Sequence, residues 1–368
     1  MDIGAIFKKE GTHLFWNRMN DHHVAEGGTG TAIEFDEAYF TVRMKEVFLR
    51  RIRLLWRKSY PVLHSFTEYA GQEDHAIAGP GQLQDLGDVN LDRVITLNYR
   101  LTGPTPYKGG DVSILVGLYS VPGQDAAKEL ISVIGTLASF GGPQFGQAVQ
   151  IAGLVKNGVD KILGLGDTKL QLGVRDSFFA NGNPLRSGYH VGIAAPTAQI
   201  NVSALWLKDG RLVKGADPIA SRPYEDHDYM VLSIERSDRR DDWPLLPGLN
   251  EFNAKFGAIM ADSGLNANEK GKRLNDLWPT FTQALKDSRF LIRPDRERIA
   301  GDIQQELDKR LKAIRAGGPF ETRSWGESAT RPQQPTEFDL ADVPEYIDPA
   351  ESESARVGKA ALEGPAAF

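Results

Sequence analysis

The first two thirds of the chain contain several stretches in which apolar and polar residues alternate, the pattern of half-buried strands. Residues 94–101 and 112–118 alternate most regularly, and the Gly- and Pro-rich connection between them predicts that they are antiparallel neighbours. Asp209-Gly210 fits a tight primed turn and predicts a hairpin over 205–213. Further strands are predicted in short β-branched and aromatic stretches, namely 62–69, 170–174, 189–193 and 229–234.

From Leu249 onward the apolar residues recur at helical spacing instead. Phe252, Phe256 and Met260 share one predicted helix face. The longest apolar stripe runs through 295–315 and consists of Ile299, Ile303, Leu307, Leu311 and Ile314. An amphipathic helix of this kind needs a partner, either in its own domain or in another chain.

Residues 130–155 contain no Asp, Glu, Lys or Arg, and Gly141-Gly142-Pro143 interrupts them. We therefore expect two short apolar helices folded back on each other. Three interpretations stay open: packing in the core against the sheet, an interface with copies or partners, or a hairpin that inserts into a membrane. The residues expected to make the interface or membrane contact are Leu130, Ile134, Leu137, Phe140, Phe145 and Val149.

Together these patterns predict an α+β fold with a mainly antiparallel β-sheet or sandwich. The expected organisation has four parts: an irregular N-terminal segment at 1–35, a β-rich domain at 36–245 with the helical pair inserted at about 125–165, a helical C-terminal unit at 246–317, and a disordered acidic tail at 318–368.

Composition narrows the function classes. The chain has 368 residues, no cysteine and a net charge of −6. Without cysteine there are no disulfides, thiolate nucleophiles or cysteine metal sites, which fits a cytoplasmic location. We see no secretory signal peptide. A mildly acidic chain makes nucleic acid an unlikely partner, since that affinity comes largely from neutralising phosphates.

Residues 36–70 are the most basic part of the chain. Their apolar period is ambiguous between strand and helix, Pro61 is expected to end either one, and the polar residues 71–90 are expected to form a loop. The basic run is interpreted either as a surface for an acidic partner or anionic lipid, or as a solvated face beside a buried one. The candidate interaction residues here are Arg50, Arg51, Arg53, Arg57 and Lys58.

The tail at 318–368 has ten acidic and four basic residues, which accounts for the whole net charge of the chain. Its low apolar density predicts disorder. Two short apolar spots within it are typical of segments that dock on a partner, and they contain Phe338, Leu340, Tyr346 and Ile347.

Catalytic motifs are not evident. Asp21-His22-His23 and Asp226-His227-Asp228 are the tight clusters of potential ligands, but both lie in loop-like sequence without helical His spacing. No Gly-x-Ser-x-Gly elbow or P-loop occurs. The charged residues 238–242 are expected to be a solvated strand end. We therefore expect no catalytic residue, no cofactor and no bound metal, and we identify no small-molecule substrate.

Residues 50–71, RRIRLLWRKSYPVLHSFTEYAG, and 101–119, LTGPTPYKGGDVSILVGLY, resemble parts of uncharacterised bacterial proteins, some of them near defence-type genes. The resemblance names no family and implies no fold or site residue.

The predicted function is a non-enzymatic interaction or effector protein that works through protein contacts or self-association in a bacterial defence-type system. One alternative is a membrane-active effector that inserts 130–155 and uses the basic run against anionic lipid. A second alternative is a hydrolase with an unrecognised site.

Overall fold

The computed structural model describes residues 14–27, 30–49, 53–54, 57–70, 72–79, 94–122, 125, 127–132, 169–179 and 182–316. Within these residues the fold is α+β with mainly antiparallel sheets, as predicted. The strands are β1 (Phe15–Arg18), β2 (Tyr39–Phe48), β3 (Arg53–Leu54), β4 (Arg57–Tyr69), β5 (Gln72–Ala78), β6 (Val94–Pro106), β7 (Val112–Pro122), β8 (Lys169–Phe178), β9 (Gly188–Ile193), β10 (Leu205–Lys208), β11 (Arg211–Lys214), β12 (Arg222–Pro223) and β13 (Tyr229–Ser237).

Two large sheets pack face to face. The first has the strand order β1-β9-β13-β2-β6, and the second runs β3-β4-β7-β8 with β5 also paired to β4. Alternation along each strand turns one set of apolar side chains into the space between the sheets. Their shared core includes Phe40, Val42 and Met44 from β2, Val112, Ile114, Val116 and Leu118 from β7, and Met230, Leu232 and Ile234 from β13.

A small three-stranded sheet, β10-β11-β12, covers part of the outer face of the first sheet. Phe48, Val191 and Tyr229 on that face share a second core with residues of the small sheet, namely Leu205, Leu207 and Leu212. The predicted hairpin is confirmed: β10 and β11 are antiparallel, and the turn residues Asp209 and Gly210 have φ values of 53° and 70°. A type I′ turn requires positive φ at both central positions, which Asp-Gly tolerates.

The predicted pairing of residues 94–101 with 112–118 is wrong. β6 pairs with β2 in the first sheet, whereas β7 pairs with β4 and β8 in the second sheet. The connection after Pro106 carries the chain from one sheet to the other. A Gly- and Pro-rich connection indicates a change of direction, and it serves a crossing between sheets as well as a hairpin.

Two expectations for residues 57–90 are also wrong. β4 runs through Pro61, which lies between the part of β4 that pairs with β3 and the part that pairs with β5. At Pro61, β4 pairs with β7 on one side and has no described partner on the other, the edge-like position in which proline occurs within sheets. Residues 72–78, expected to be a loop, form β5 and pair with β4 in regular register.

Near the N-terminus, Phe15–Arg18 adds an edge strand where no strand was predicted, and it pairs with β9. The basic run, whose period was ambiguous, is extended at 39–48.

Three helices follow the last strand: α1 (Asn250–Ala261), α2 (Ala267–Asp287) and α3 (Arg293–Arg315). Phe281 of α2 is fully buried and lies within 6.2 Å, between ring centroids, of four other aromatic rings: Trp243, Phe252, Phe256 and Trp278. The amphipathic stripe of α3 has its partner in the same chain, since α3 packs against α2 and Ile299, Ile303 and Leu307 are buried. None of the helices in the described part of the chain is long and apolar enough to cross a membrane.

The start of α3 is tied to the first sheet through Asp295, whose side chain is 1% exposed. Its carboxylate accepts hydrogen bonds from the Tyr39 hydroxyl at 2.8 Å, the Arg240 backbone N–H at 2.7 Å and the Arg298 guanidinium at 2.8 Å. The charged group at 238–242, expected to be a solvated strand end, therefore also holds the helices against β2.

Candidate functional site

Two basic residues of the run, Arg43 and Lys45, lie on β2. Arg43 Nε and Lys45 Nζ lie 3.0 and 2.7 Å from the two carboxylate oxygens of Glu235 on β13. Burial opposes ionisation of Glu235, but the hydrogen bonds and charges of Lys45 and Arg43 keep its pKa below the ordinary value. These two cations thus serve to join neighbouring strands.

The other basic candidates cannot be assigned contacts. Arg50 and Arg51 lie outside the described residues, and Arg53, Arg57 and Lys58 lie in β3 and β4 with side chains that are also outside the description. The tail candidates Phe338, Leu340, Tyr346 and Ile347 likewise lie outside it. Their role in binding stays a prediction.

The apolar stretch is described only where it begins. Residues 127–132 are helical, and Ala127 and Leu130 are fully buried. Ile134, Leu137, Phe140, Phe145 and Val149 lie outside the described residues. Leu130 therefore belongs to the protein interior in this state, while the choice between core, interface and membrane stays open for the rest.

Both histidine clusters have neighbours that hold them in place. His23 Nδ1 lies 2.6 Å from the carbonyl oxygen of Leu205, and its ring stacks on Trp206 at 4.3 Å. His227 Nδ1 lies 2.8 Å from the hydroxyl of Tyr224. The residues that the structure describes contain no group of three or more His, Asp or Glu side chains able to hold a metal ion.

Two buried histidines were missed by the sequence reasoning. His64 on β4 is fully buried, stacks on Tyr119 at 5.2 Å and meets Phe66 edge-on at 5.4 Å. Its ring fills the space over Gly117, where a Cβ would lie only 2.7 Å from the His64 ring. Within the described residues neither ring nitrogen has a hydrogen-bond partner, and burial lowers the pKa of His64 to about 4.

His190 on β9 is the second, with 4% exposure. It lies between Trp16 and Phe178 where the two large sheets meet. Burial, and then the nearby charge of Arg18, lower the pKa of His190 to about 4. Both histidines occupy alternating positions in apolar strands, and that pattern was the signal available in the sequence.

Glu46 is a buried carboxylate between the first sheet and the small sheet. It accepts hydrogen bonds from the Leu212 N–H and the Tyr229 hydroxyl, each at 2.9 Å. Burial raises the pKa of Glu46 despite these hydrogen bonds. Glu46 therefore has a structural role: it joins β2 to β11 through the Leu212 N–H and to β13 through the Tyr229 hydroxyl.

Ile219 is the most exposed large hydrophobic residue in the described part of the chain, at 91%. It sits in the loop 215–221 between β11 and β12. Asp217 Oδ1 accepts the backbone N–H groups of Ile219 and Ala220 at 2.8 and 2.7 Å, as in an Asx turn. Ser221 Oγ donates to the Pro218 carbonyl at 2.8 Å. The loop is thus internally hydrogen-bonded and presents an aliphatic side chain to solvent.

The same loop is fastened to its surroundings at Gly215. The Gly215 N–H donates to the Ala204 carbonyl at 2.9 Å. A Cβ at Gly215 would lie 2.7 Å from Ser221 Cα. The close approach shows why glycine begins the loop. In the sequence, an Asp followed by Pro-Ile-Ala in a polar loop was the available signal.

No family model, curated protein or solved structure matches the chain. Function must therefore be inferred from the residues themselves. Most of the charged clusters described above join one element to another, whereas the Ile219 loop presents its apolar group outward.

Proposed function

We propose that the chain is a non-enzymatic interaction or effector protein that works through protein–protein contacts in a bacterial defence-type system, in the cytoplasm. The observation that carries the proposal is the ordered presentation of Ile219. An aliphatic side chain that is almost fully exposed gains free energy when a partner buries it, about 1.5–3 kcal/mol for a complete burial.

The loop that carries Ile219 supports this proposal by its preorganisation. Its internal hydrogen bonds, made by Asp217 and Ser221, hold the backbone in one conformation before any partner arrives. A partner that binds such a loop avoids most of the entropy cost of ordering it.

The basic residues at 50–58 and the apolar spots of the tail are proposed as further contact regions, on the sequence patterns given above. The membrane-active alternative requires the apolar stretch to contact lipid, and Leu130, its first residue, is fully buried in the described part of the chain. It therefore ranks second. Flotation with anionic liposomes at low and at physiological salt tests it: binding at both salt concentrations would favour insertion, and binding at low salt alone would indicate a peripheral contact.

The proposal is tested by site-specific photo-crosslinking of the full-length chain. A benzoylphenylalanine is placed at position 219 and the protein is irradiated in an extract of the cells that produce it. We expect a discrete crosslinked product that excess wild-type chain suppresses. Excess Ile219→Asp chain is expected not to suppress it, since a charged side chain cannot enter an apolar site.

Leu245 provides the matched control, because it is also aliphatic and 79% exposed. Crosslinker at position 245 is expected to give no product with the same competition pattern. If the products at 219 and 245 are alike, or if Ile219→Asp competes as well as the wild type, then Ile219 is an ordinary surface residue and the proposal fails.

A further inference from the structure

His190 lies in a seam where β8 of the second sheet meets β1 and β9 of the first. It sits directly opposite Arg18 across the β1–β9 pair. Its ring stacks on Trp16 at 5.4 Å and meets Phe178 of β8 edge-on at 5.5 Å. The imidazole is therefore enclosed by side chains from both sheets.

The seam contains polar groups that are buried without hydrogen-bond partners. In the described part of the chain this holds for Nδ1 and Nε2 of His190 and for Nε of Arg18. Native interiors pair nearly all such groups, and each exception weakens its surroundings by an amount comparable to a lost hydrogen bond. The seam is thus a less stable part of the sandwich.

Two described charged groups, Arg18 and Asp176, lie next to the His190 ring. Arg18 comes from β1, and Asp21 from the turn after β1 pairs with Arg18 at 2.6 Å. Asp176 comes from β8, with Oδ2 3.7 Å from His190 Nδ1. β13 contributes the apolar Leu232, which is in register with His190.

The Asp176 carboxylate also joins the sheets directly, because Oδ2 accepts the indole N–H of Trp16 at 2.9 Å. A proton on His190 would place a charge on a ring that is 4% exposed and has no hydrogen-bond partner among the described residues, opposite the Arg18 guanidinium, which is itself paired with Asp21. The Asp176 carboxylate, 3.7 Å from Nδ1, offsets part of this cost but lies beyond hydrogen-bond distance. Water can solvate the charged ring only if Trp16 of β1 and Phe178 of β8, which enclose it, move apart, and this loosens the contact between the two strands.

We propose that this seam is an acid-sensitive joint: protonation of His190 separates β1 from β8 and opens this side of the sandwich while the three helices stay folded. The lowered pKa of His190, at about 4 when closed, agrees with the geometry. An open seam restores an ordinary histidine, so acid favours the open state.

Hydrogen exchange with mass spectrometry on the full chain tests the proposal, at pH 7.5 and pH 5 and with correction for intrinsic exchange rates. We expect peptides covering β1 and β8 to lose about 30-fold in protection at pH 5, from the difference between the open and closed histidine. Peptides from α1 to α3 are expected to lose less, and all proteins compared carry His64→Leu so that the acid effect of His64 on the whole fold does not contribute. In His190→Gln the acid-dependent loss at β1 and β8 is expected to disappear.

His22→Gln is the matched control, because His22 is exposed and close to β1 in sequence; it should behave like the parent protein with His64→Leu alone. Unchanged protection of β1 and β8 at pH 5, or the same loss in His190→Gln, would overturn the proposal. Should His190→Gln not fold, the NMR titration of the histidine rings in the wild-type protein decides. Seven histidines that all titrate near pH 6.5 would exclude a closed, neutral His190.

Discussion

Acid should destabilise the whole protein through His64, and His64→Leu should remove that effect. His64 is enclosed between Tyr119 and Phe66 over Gly117, so its neutral form is favoured in the folded state. Its pKa falls from 6.5 to about 4 on folding because burial disfavours the imidazolium. The unfolded chain therefore binds a proton at a higher pH than the folded chain does.

The sign and size of the effect follow from this pKa difference. The stability that His64 contributes is fully present above pH 6.5 and is lost as the pH falls toward 4. The linkage relation gives a loss of about 2 kcal/mol at pH 5 and about 3 kcal/mol at pH 4. A domain is commonly stable by only about 5–15 kcal/mol, so the loss is readily measured.

The assay is urea denaturation followed by tryptophan fluorescence at pH 7.5, 6 and 5. The decisive quantity is the change in unfolding free energy between pH 7.5 and pH 5 in His64→Leu compared with the wild type. We expect this change to be about 2 kcal/mol smaller in the variant. His22→Leu, the same substitution at an exposed histidine, should keep the wild-type change. Equal changes in the wild type and His64→Leu would refute the assignment of a neutral, buried imidazole.

Three further predictions concern the buried hydrogen bonds and the aromatic core of the helices, and each is checked by urea denaturation at pH 7.5. Phe281→Ala should cost about 3–5 kcal/mol, because the ring is fully buried among four aromatic neighbours, and a smaller cost would mean that α2 is loosely packed. Glu46→Ala should cost about 2–5 kcal/mol by leaving two buried donors unpaired, whereas Glu46→Gln should cost less. Because burial raises the pKa of Glu46, its ionisation lowers the stability of the folded protein as the pH rises. Glu46→Gln removes this pH-dependent loss of stability. Asp295→Ala should cost about 3–5 kcal/mol and Tyr39→Phe about 1 kcal/mol, and equal costs would contradict a carboxylate shared among several donors.

Local signals predicted much of the fold. Alternation placed the strands around Leu172, Val191 and Val231, and helical spacing placed α1 to α3. Pairing was not predictable in the same way, because alternation says which residues are inside but not which strand lies alongside. β6 and β7 show this, since the same connection suits a hairpin and a crossing between sheets. β5 was missed because its polar residues Gln72–His75 hide the strand pattern, and pairing with β4 decides its conformation.

Site residues were harder to predict for a related reason. Sequence reasoning ranked residues by charge runs and clusters, but a charge run does not show whether its side chains face solvent or a neighbouring strand. Arg43 and Lys45, which belong to the basic run, join β2 to β13. The burial of His64 and His190 depends on neighbours far along the chain, for example Tyr119 and Trp16. Whether a single polar residue is buried depends on the tertiary structure. An alternating strand pattern shows which face of the strand the residue is on, but not what covers that face.

The order of the first sheet has a consequence for biosynthesis. β13 lies between β9 and β2, so the last strand to leave the ribosome is the one that joins the two halves of the sheet. Trp16 and Asp176, which meet in the seam, are 160 residues apart. At ordinary translation rates this separation corresponds to roughly 10–30 s. Until Tyr229–Ser237 has emerged, the edges of β9 and β2 remain open to other nascent chains, and chaperone binding should be strongest in that interval.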